Sequence, residues 1–134
     1  MKHLALVLLF VPLAAFAGKE EREYMKSDVT PAITAAQGAF KKGCGCDLKM
    51  VMDEASVKSK DDMYQIKHMA ESITEGAPKH CTDAPSKAAI CKMKTLKMAK
   101  AKESTFSFAG AAGTATTDGQ SYTNWDMMAR ELDK

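Results

Sequence analysis

The amino-acid sequence predicts an α+β domain in which a small antiparallel sheet of about four strands carries helices on one side and is cross-linked by disulfides. Three observations predict this class. Segments whose apolar residues have helical spacing are interspersed with segments in which apolar and polar residues alternate. Three expected strands follow one another late in the chain, and the chain contains four cysteines. The predicted order is helix, strand, two helices, three strands and a final helix.

The first 17 residues have the pattern of a secretory signal peptide. A basic head precedes an apolar run from Leu4 to Phe16, and Ala15-Phe16-Ala17 supplies the small-x-small cleavage pattern. A membrane-spanning helix needs about 20 apolar residues, and the charged stretch from Lys19 interrupts the run too early. No second long apolar run follows. We therefore expect signal cleavage, a single mature domain of residues 18–134 without a membrane span, and export to the periplasm or the extracellular space.

The charge balance argues against a general nucleic-acid-binding protein. The chain has 19 basic and 17 acidic residues and a formal net charge of +2. Lys2 lies in the predicted signal peptide and no acidic residue does, so the mature domain carries +1. Nucleic-acid-binding domains are typically strongly basic. One stretch is nevertheless lysine-rich, and it is either a solvated face or a candidate interaction surface: Lys87, Lys92, Lys94, Lys97, Lys100 and Lys102.

The four cysteines are expected to form two structural disulfides: Cys44, Cys46, Cys81 and Cys91. An exported protein folds in an oxidising environment, where paired thiols persist and cross-links stabilise a small core. A bond between Cys44 and Cys46 would close a strained ring around one glycine. Each is therefore expected to pair with Cys81 or Cys91. Zinc binding, with His80 as a further ligand, and thiol exchange at the Cys-Gly-Cys segment are the alternatives.

The first half of the mature domain predicts a helix, a strand and a second helix. Thr30-Pro31 is typical of a helix start, and Lys41-Lys42-Gly43 is typical of a helix end. Residues 46–53 then alternate between apolar and polar side chains, which predicts a strand with one buried face. Ser59-Lys60-Asp61-Asp62 reads as a capping box for the second helix, which we expect to end at Gly76-Ala77-Pro78.

The second half predicts a short helix, three strands and a last helix. Thr82-Asp83-Ala84-Pro85 indicates the short helix. A strand from Lys94 to Lys102 follows, with an extension of the helix as the alternative for this stretch. Residues 105–109 and 114–117 are rich in aromatic and β-branched side chains around a glycine-containing turn, which predicts a hairpin. Thr123-Asn124-Trp125-Asp126 is the capping box of the last helix.

No motif indicates catalysis. The histidines of the mature domain are His68 and His80, and neither belongs to a motif with a nucleophile. The sequence lacks Gly-x-Ser-x-Gly, His-Glu-x-x-His and phosphate-binding glycine loops. We therefore expect a protein that is not an enzyme, with no catalytic residue and no cofactor. A small hydrolase, with a site assembled from distant residues, is one alternative.

Methionine is abundant, with ten in the chain. Met50 and Met52 would lie on one face of the predicted strand, about 7 Å apart along the backbone. Thioethers suit Cu(I), so these two side chains with His68 or His80 form a hypothetical copper site in the cell envelope. The competing interpretation is packing, because methionine fills irregular gaps in a core.

A cross-linked exported domain without catalytic motifs is suited to binding another protein. A rigid surface loses little conformational freedom on association, which favours affinity. The candidate contact elements are the lysine-rich segment and the hairpin that carries Phe106 and Phe108. The sequence therefore predicts a non-enzymatic binding protein outside the cytoplasm, with Cu(I) binding and hydrolysis as the two alternatives.

Overall fold

Helices and strands follow one another in the order that the sequence predicts, with one additional helix at the start. The structure is a computed structural model that describes residues 18–134, so the predicted signal peptide lies outside the described residues. The helices are α1 (Lys19–Tyr24), α2 (Thr30–Cys44), α3 (Lys60–His80), α4 (Ala84–Ile90) and α5 (Trp125–Leu132). The strands are β1 (Lys49–Met52), β2 (Thr95–Lys100), β3 (Phe106–Ala109) and β4 (Ala112–Thr117).

The four strands form one open sheet in the order β1-β2-β4-β3. Strands β1 and β4 both run parallel to β2, and β3 runs antiparallel to β4. The α+β class, the four strands and the disulfides are confirmed, but the sheet is mixed and not antiparallel throughout. The chain crosses from β1 to β2 through α3 and α4, and a helical crossover of this kind joins parallel strands. The β3–β4 hairpin then places β4, rather than β3, beside β2.

The helices cover one face of the sheet, as predicted. Met50, Leu96 and Met98 point into the core and are at most 6 % exposed, whereas Val51 and Lys97 lie on the opposite, exposed face. Helix α3 packs against β2 and β4, and α5 packs against β3. The alternation along β1 and β2 thus separates a core face from a solvent face.

Helix α2 begins at Thr30, as predicted, but it continues from α1, so Thr30 is not its N-cap. The two helices are joined by a π-helical segment, Met25–Val29, and the amide of Thr30 donates to the carbonyl of Met25. Pro31 follows directly, and proline lacks the N–H of a regular helical turn and clashes with the carbonyl four residues earlier. The wider π turn accommodates the proline ring, so the chain continues without a new N-cap.

Helices α2 and α3 pack closely, and both end later than predicted. Gly45, at φ 80°, ends α2 with a left-handed C-cap, so the terminating glycine is Gly45 and not Gly43. Gly43 instead permits close contact, since a Cβ there would lie 2.7 Å from the Cα of Pro78. Helix α3 continues through Pro78 to His80, because this packing supports its last turn.

The predicted cap of α3 is confirmed, and that of α5 is shifted by one residue. Ser59 accepts a hydrogen bond from the amide of Asp62 at the start of α3. Asp83 caps α4 in the same way, because its carboxylate accepts a hydrogen bond from the amide of Ser86. At α5 the cap is Asn124, which accepts from the amide of Met127, and not the preceding threonine. These side chains satisfy amide groups that have no partner within the helix.

Two disulfides join the helical layer at one end, as predicted. Cys44 pairs with Cys81 and Cys46 pairs with Cys91, so the segment around Gly45 is tied to the ends of both α3 and α4. Within residues 18–134 no cysteine is left unpaired. The helices of this same region include none that is long and apolar enough to cross a membrane.

Substitution of two glycines of α2 by alanine is expected to have opposite effects. Gly38 has open space around it, so Gly38→Ala should raise the free energy of unfolding by about 1 kcal/mol through helix propensity. Gly43→Ala should lower it by about 2 kcal/mol, because the new methyl group meets the backbone of Pro78. Urea unfolding of both variants measures the difference. Equal stabilisation by the two substitutions would contradict the close packing of α2 on α3.

Candidate functional site

The three tyrosines of the chain come together along the outer side of α3. Tyr64 lies on this helix, Tyr24 lies at the end of α1, and Tyr122 lies in the loop before α5. Tyr122 lines an open cleft of about 510 Å³ whose floor is α3 and whose other wall is α2, and Tyr24 and Tyr64 line a second, neighbouring cleft of about 480 Å³. We call this surface the tyrosine groove and define it by six residues: Tyr24, Tyr64, His68, Glu71, Glu75 and Tyr122.

The floor of the tyrosine groove is a stripe of α3 that faces away from the core. Residues 64, 68, 71 and 75 follow at helical spacing, on the side opposite the buried residues such as Ile66 and Ile73. Tyr64 is 48 % exposed. The helix thus buries one side against the sheet and presents tyrosine, histidine and glutamate on the other.

His68 lies at the centre of the aromatic contacts. The ring of Tyr64 packs edge-on against it, with centroids 4.2 Å apart, and the ring of Tyr122 lies nearly parallel at 5.7 Å. The Nδ1 atom of His68 is 3.2 Å from a carboxylate oxygen of Glu71. Because ring contacts and this polar contact act from different sides, the imidazole is held in one orientation.

The loop that carries Tyr122 is held by side-chain hydrogen bonds. The carboxylate of Asp118 accepts from the amides of Gln120 and Ser121, both at 2.8 Å. These backbone amides lower the pKa of Asp118, so the ionised carboxylate, and with it the turn, persists to more acidic pH than for an ordinary aspartate. Tyr122 itself bridges to Thr117 at the end of β4. The ring is therefore positioned before any partner arrives.

The opposite end of the groove places a lysine beside an aromatic ring. The Nζ atom of Lys60 lies 5.4 Å from the ring centroid of Tyr24, within the range of a cation–π contact. Burial raises the pKa of the Tyr24 hydroxyl, and the nearby Asp28, Tyr64 and Glu71 raise it further. The electrostatic influence of Glu71 thus extends from the centre of the groove to this end.

His80, the second predicted candidate, belongs to a separate contact at the end of α3. Its Nε2 atom is 3.1 Å from a carboxylate oxygen of Asp133, and its ring lies edge-on to Trp125 with centroids 5.9 Å apart. His68 and His80 are 12 positions apart on one helix, which corresponds to about 18 Å. The structure therefore does not bring the two histidines to one site.

The predicted copper ligands Met50 and Met52 both lie on the core side of β1. Met50 is 6 % exposed and pairs in register with Leu96, and Met52 pairs with Met98. Packing accounts for both side chains. In the described part of the chain, no group of three or more histidine, cysteine, aspartate or glutamate side chains is arranged to hold a metal ion. The Cu(I) hypothesis stays a prediction.

The six lysines of the candidate interaction surface do not share one face. Lys97 points to the outer face of the sheet, while Lys100 is directed towards α3, where its Nζ atom lies 3.1 Å from Asp62. That carboxylate is buried, so the pair ties β2 to the start of α3. The other lysines are exposed at separate turns and ends: Lys87, Lys92, Lys94 and Lys102. Their role in binding stays a prediction.

The hydroxyl of Ser72, which lines the same cleft as His68, forms hydrogen bonds within the fold. Ser72 donates to the carbonyl of Met69 at 2.7 Å and accepts from the amide of Trp125 at 3.0 Å. A serine hydroxyl has a single proton to donate. Since that proton is directed to the backbone and not to His68, Ser72 and His68 lack the geometry of an activated nucleophile and its base.

Comparison of the chain with protein-family models, with curated proteins and with solved structures finds no match. Sequence reasoning identified His68 as a helix-flank residue and Lys60 as part of a capping box, but it did not identify the tyrosines. Tyr24, Tyr64 and Tyr122 are far apart along the chain, and the available signal was the helical spacing of Tyr64 and His68.

Proposed function

We propose that this protein is exported and binds a protein partner through the tyrosine groove, without catalysing a reaction. The observation that carries the proposal is the contact of Tyr64 and Tyr122 with His68 on the side of α3 that faces away from the sheet, with Tyr24 beside Tyr64. Tyr24 and Tyr122 pack partly against the core, whereas Tyr64 is 48 % exposed. A partly exposed aromatic cluster of this kind is a recurring feature of binding surfaces.

Tyrosine is well suited to this role. Its ring supplies a large contact area with few rotatable bonds, so little side-chain entropy is lost on binding, and its hydroxyl forms hydrogen bonds at the rim. Tyrosines are accordingly enriched among the residues that dominate binding energy at interfaces. The contacts of His68 with Tyr64 and Tyr122 hold the rings in place, which lowers the ordering cost further.

Export is supported by the disulfides. Structural disulfides persist in oxidising compartments, and both bonds here join distant parts of the chain. The protein recovered from its producing cells should begin at Gly18 and should contain no thiol that reacts before reduction. Intact-mass measurement with and without reductant tests both points. A cytoplasmic protein with residues 1–17 attached and reactive thiols would contradict export.

Truncation of the groove tyrosines should abolish binding while the fold remains. Tyr64→Ala and Tyr122→Ala are each expected to weaken partner binding by about 30-fold or more, as for residues that dominate an interface. The protein is immobilised in its mature form, and bound proteins from the envelope and secreted fractions are quantified. Thermal unfolding confirms that each variant is folded, and Tyr64→Ala is the cleaner test because the side chain is half exposed.

The matched control is Val51→Ala. Val51 is 42 % exposed, comparable to Tyr64, but it lies on the outer face of the sheet. This substitution should leave binding unchanged. If both tyrosine variants retain the partner at wild-type level, the groove is not the binding surface. Loss of the partner in Val51→Ala alone would assign binding to the outer face of the sheet.

A further inference from the structure

The two outer strands of the sheet, β1 and β3, differ in how their free edges are covered. At the β1 edge the amide of Met50 donates to the side-chain oxygen of Gln37 on α2, at 2.7 Å. The helical layer thus caps this edge. The outward backbone groups of β3 have no such cap among the described residues. The fold therefore leaves one edge of its sheet open.

The pairing of β3 with β4 shows which backbone groups are open. The carbonyl of Thr105 accepts a hydrogen bond from the amide of Thr116, so the backbone groups of Thr105 face β4. Successive residues of a strand direct these groups to alternate sides. Ser107 therefore also faces β4, whereas Phe106 and Phe108 face away from it. Within residues 18–134 the amides and carbonyls of these two phenylalanines have no hydrogen-bond partner.

Strand β3 lacks the features that usually prevent a free edge from pairing. Natural edge strands carry lysine or proline, contain a bulge, or are covered by another element. The strand reads Phe-Ser-Phe-Ala, and its register with β4 is continuous from Phe106 to Ala109. A groove of about 310 Å³ lies between Phe106 and α5, so the helix leaves space beside the strand. This edge is therefore suited to the addition of another strand.

The outward groups of β3 match those of a second copy of the same strand. In an antiparallel pair centred on Ser107, the outward groups of Phe106 meet those of Phe108 in the other copy, and the reverse contact forms at the same time. Every unpaired amide and carbonyl of both edges is then satisfied. Such a contact uses the same patch on both molecules, which is the geometry of a two-fold dimer.

The surroundings of the edge also favour a second copy. The groove beside β3 carries charges of both signs around Met127, since it is lined by Arg130, Glu131 and Lys134. A surface of mixed sign does not repel its own copy, as a surface of one sign does. Because Gln37 caps the β1 edge, pairing through β3 ends at two molecules and does not continue into a fibre.

We propose that two copies of this protein associate through their β3 edges as a symmetric dimer, with Ser107 on the two-fold axis. The contact joins two four-stranded sheets into one continuous sheet, with β1 at both of its ends. The inference does not depend on the proposed function, because no residue of the tyrosine groove lies on β3 or α5.

Cysteine crosslinking of the full mature chain tests the register. Ser107→Cys should form a disulfide-linked dimer under a mild oxidant, because a non-hydrogen-bonded antiparallel pair places its Cα atoms about 4.5 Å apart, within the range of a disulfide. The matched control is Ala109→Cys, which is exposed on the same strand. The two copies of residue 109 would lie about 14 Å apart along the strands, so the crosslink yield should be about tenfold lower.

A charge at the axis should weaken the dimer without a crosslink. Ser107→Lys places two ammonium groups directly opposite each other, and like charges in this position are unfavourable. We expect the dissociation constant, measured by sedimentation equilibrium, to rise by about fivefold or more. The matched control is Thr95→Lys, which adds the same charge at an exposed position of β2 and should leave the dissociation constant unchanged.

The outcomes decide between the possible occupants of the edge. A concentration-dependent dimer that crosslinks through position 107 rather than 109, and that Ser107→Lys alone weakens, supports the inference. A wild type that sediments as a monomer up to about 1 mM overturns it. Equal crosslinking at the two positions, or equal effects of the two lysines, also overturns it. Recovery of Ser107→Cys in a mixed disulfide with a different protein would assign the edge to a foreign strand and overturn the second copy as its occupant.

Discussion

Replacement of Cys46 and Cys91 together by alanine is expected to lower the free energy of unfolding by about 3 kcal/mol. The bond joins residues 45 positions apart, but the Cys44–Cys81 bond remains, so the loop freed in the unfolded state comprises only residues 44–46 and 81–91, about 12 positions. Because the unfolded chain also becomes more expanded, the free energy of unfolding should fall more steeply with denaturant concentration. Urea unfolding under oxidising conditions measures both changes.

The second disulfide provides the comparison. Cys44→Ala with Cys81→Ala frees the same small loop, because Cys46–Cys91 remains, but both sulfurs are buried, so packing is lost as well. This pair should therefore destabilise the protein more than the first pair does. Equal unfolding midpoints for the wild type and either double variant would show that the corresponding bond does not restrain the chain.

Trp125→Ala is expected to lower the free energy of unfolding by about 3–5 kcal/mol, as for removal of a large buried aromatic side chain. Trp125 is 3 % exposed and packs edge-on against Phe40 of α2, with centroids 6.3 Å apart. It also lies against Gly76 of α3, where an added Cβ would approach its ring to 2.4 Å. The indole thus joins α5 to both long helices, and thermal or urea unfolding measures its loss.

The control for this position is Trp125→Phe. The indole Nε1 atom is buried without a hydrogen-bond partner among the described residues, and an unpaired buried donor costs about 1–3 kcal/mol. Phenylalanine retains an aromatic ring and removes that donor, so we expect a loss of about 1 kcal/mol or less. A loss as large as that of Trp125→Ala would show that the indole nitrogen has a stabilising partner.

Local signals in the sequence predicted the order of the helices and strands after α1, and they were wrong where distant contacts decide the outcome. Ser59 was predicted as a helix cap, and residues 82–85 as a helix start, because a cap depends on residues only three positions away. Pro78 was predicted to end α3, yet the turn continues because Gly43 of another helix packs on it. The sheet was predicted as antiparallel because the order of strands along the chain does not reveal that β4 lies between β2 and β3.

The candidate site was predictable only in part, for the same reason. His68 was placed on the flank of a helix, which is where it lies, but its significance comes from Tyr122 in a loop that a distant turn positions. The paired methionines drew attention to Met50, which is buried in the core, and to Met52, which is partly buried against it, as the packing interpretation expects. Residues that meet only through tertiary structure leave no periodic signal in the sequence.

The position of the disulfides also determines how the molecule responds to tension. If its two ends are pulled apart, the load passes from Cys46 directly to Cys91 through the sulfur–sulfur bond, and the intervening chain carries none of it. The segment between Cys46 and Cys91 spans 45 positions, and at about 3.5 Å a residue its full extension would add about 160 Å to the stretched length. An oxidised molecule stretched in an optical trap would therefore stay short by that length, and its full release requires reduction of both bonds, because Cys44–Cys81 still closes 37 positions after Cys46–Cys91 is broken.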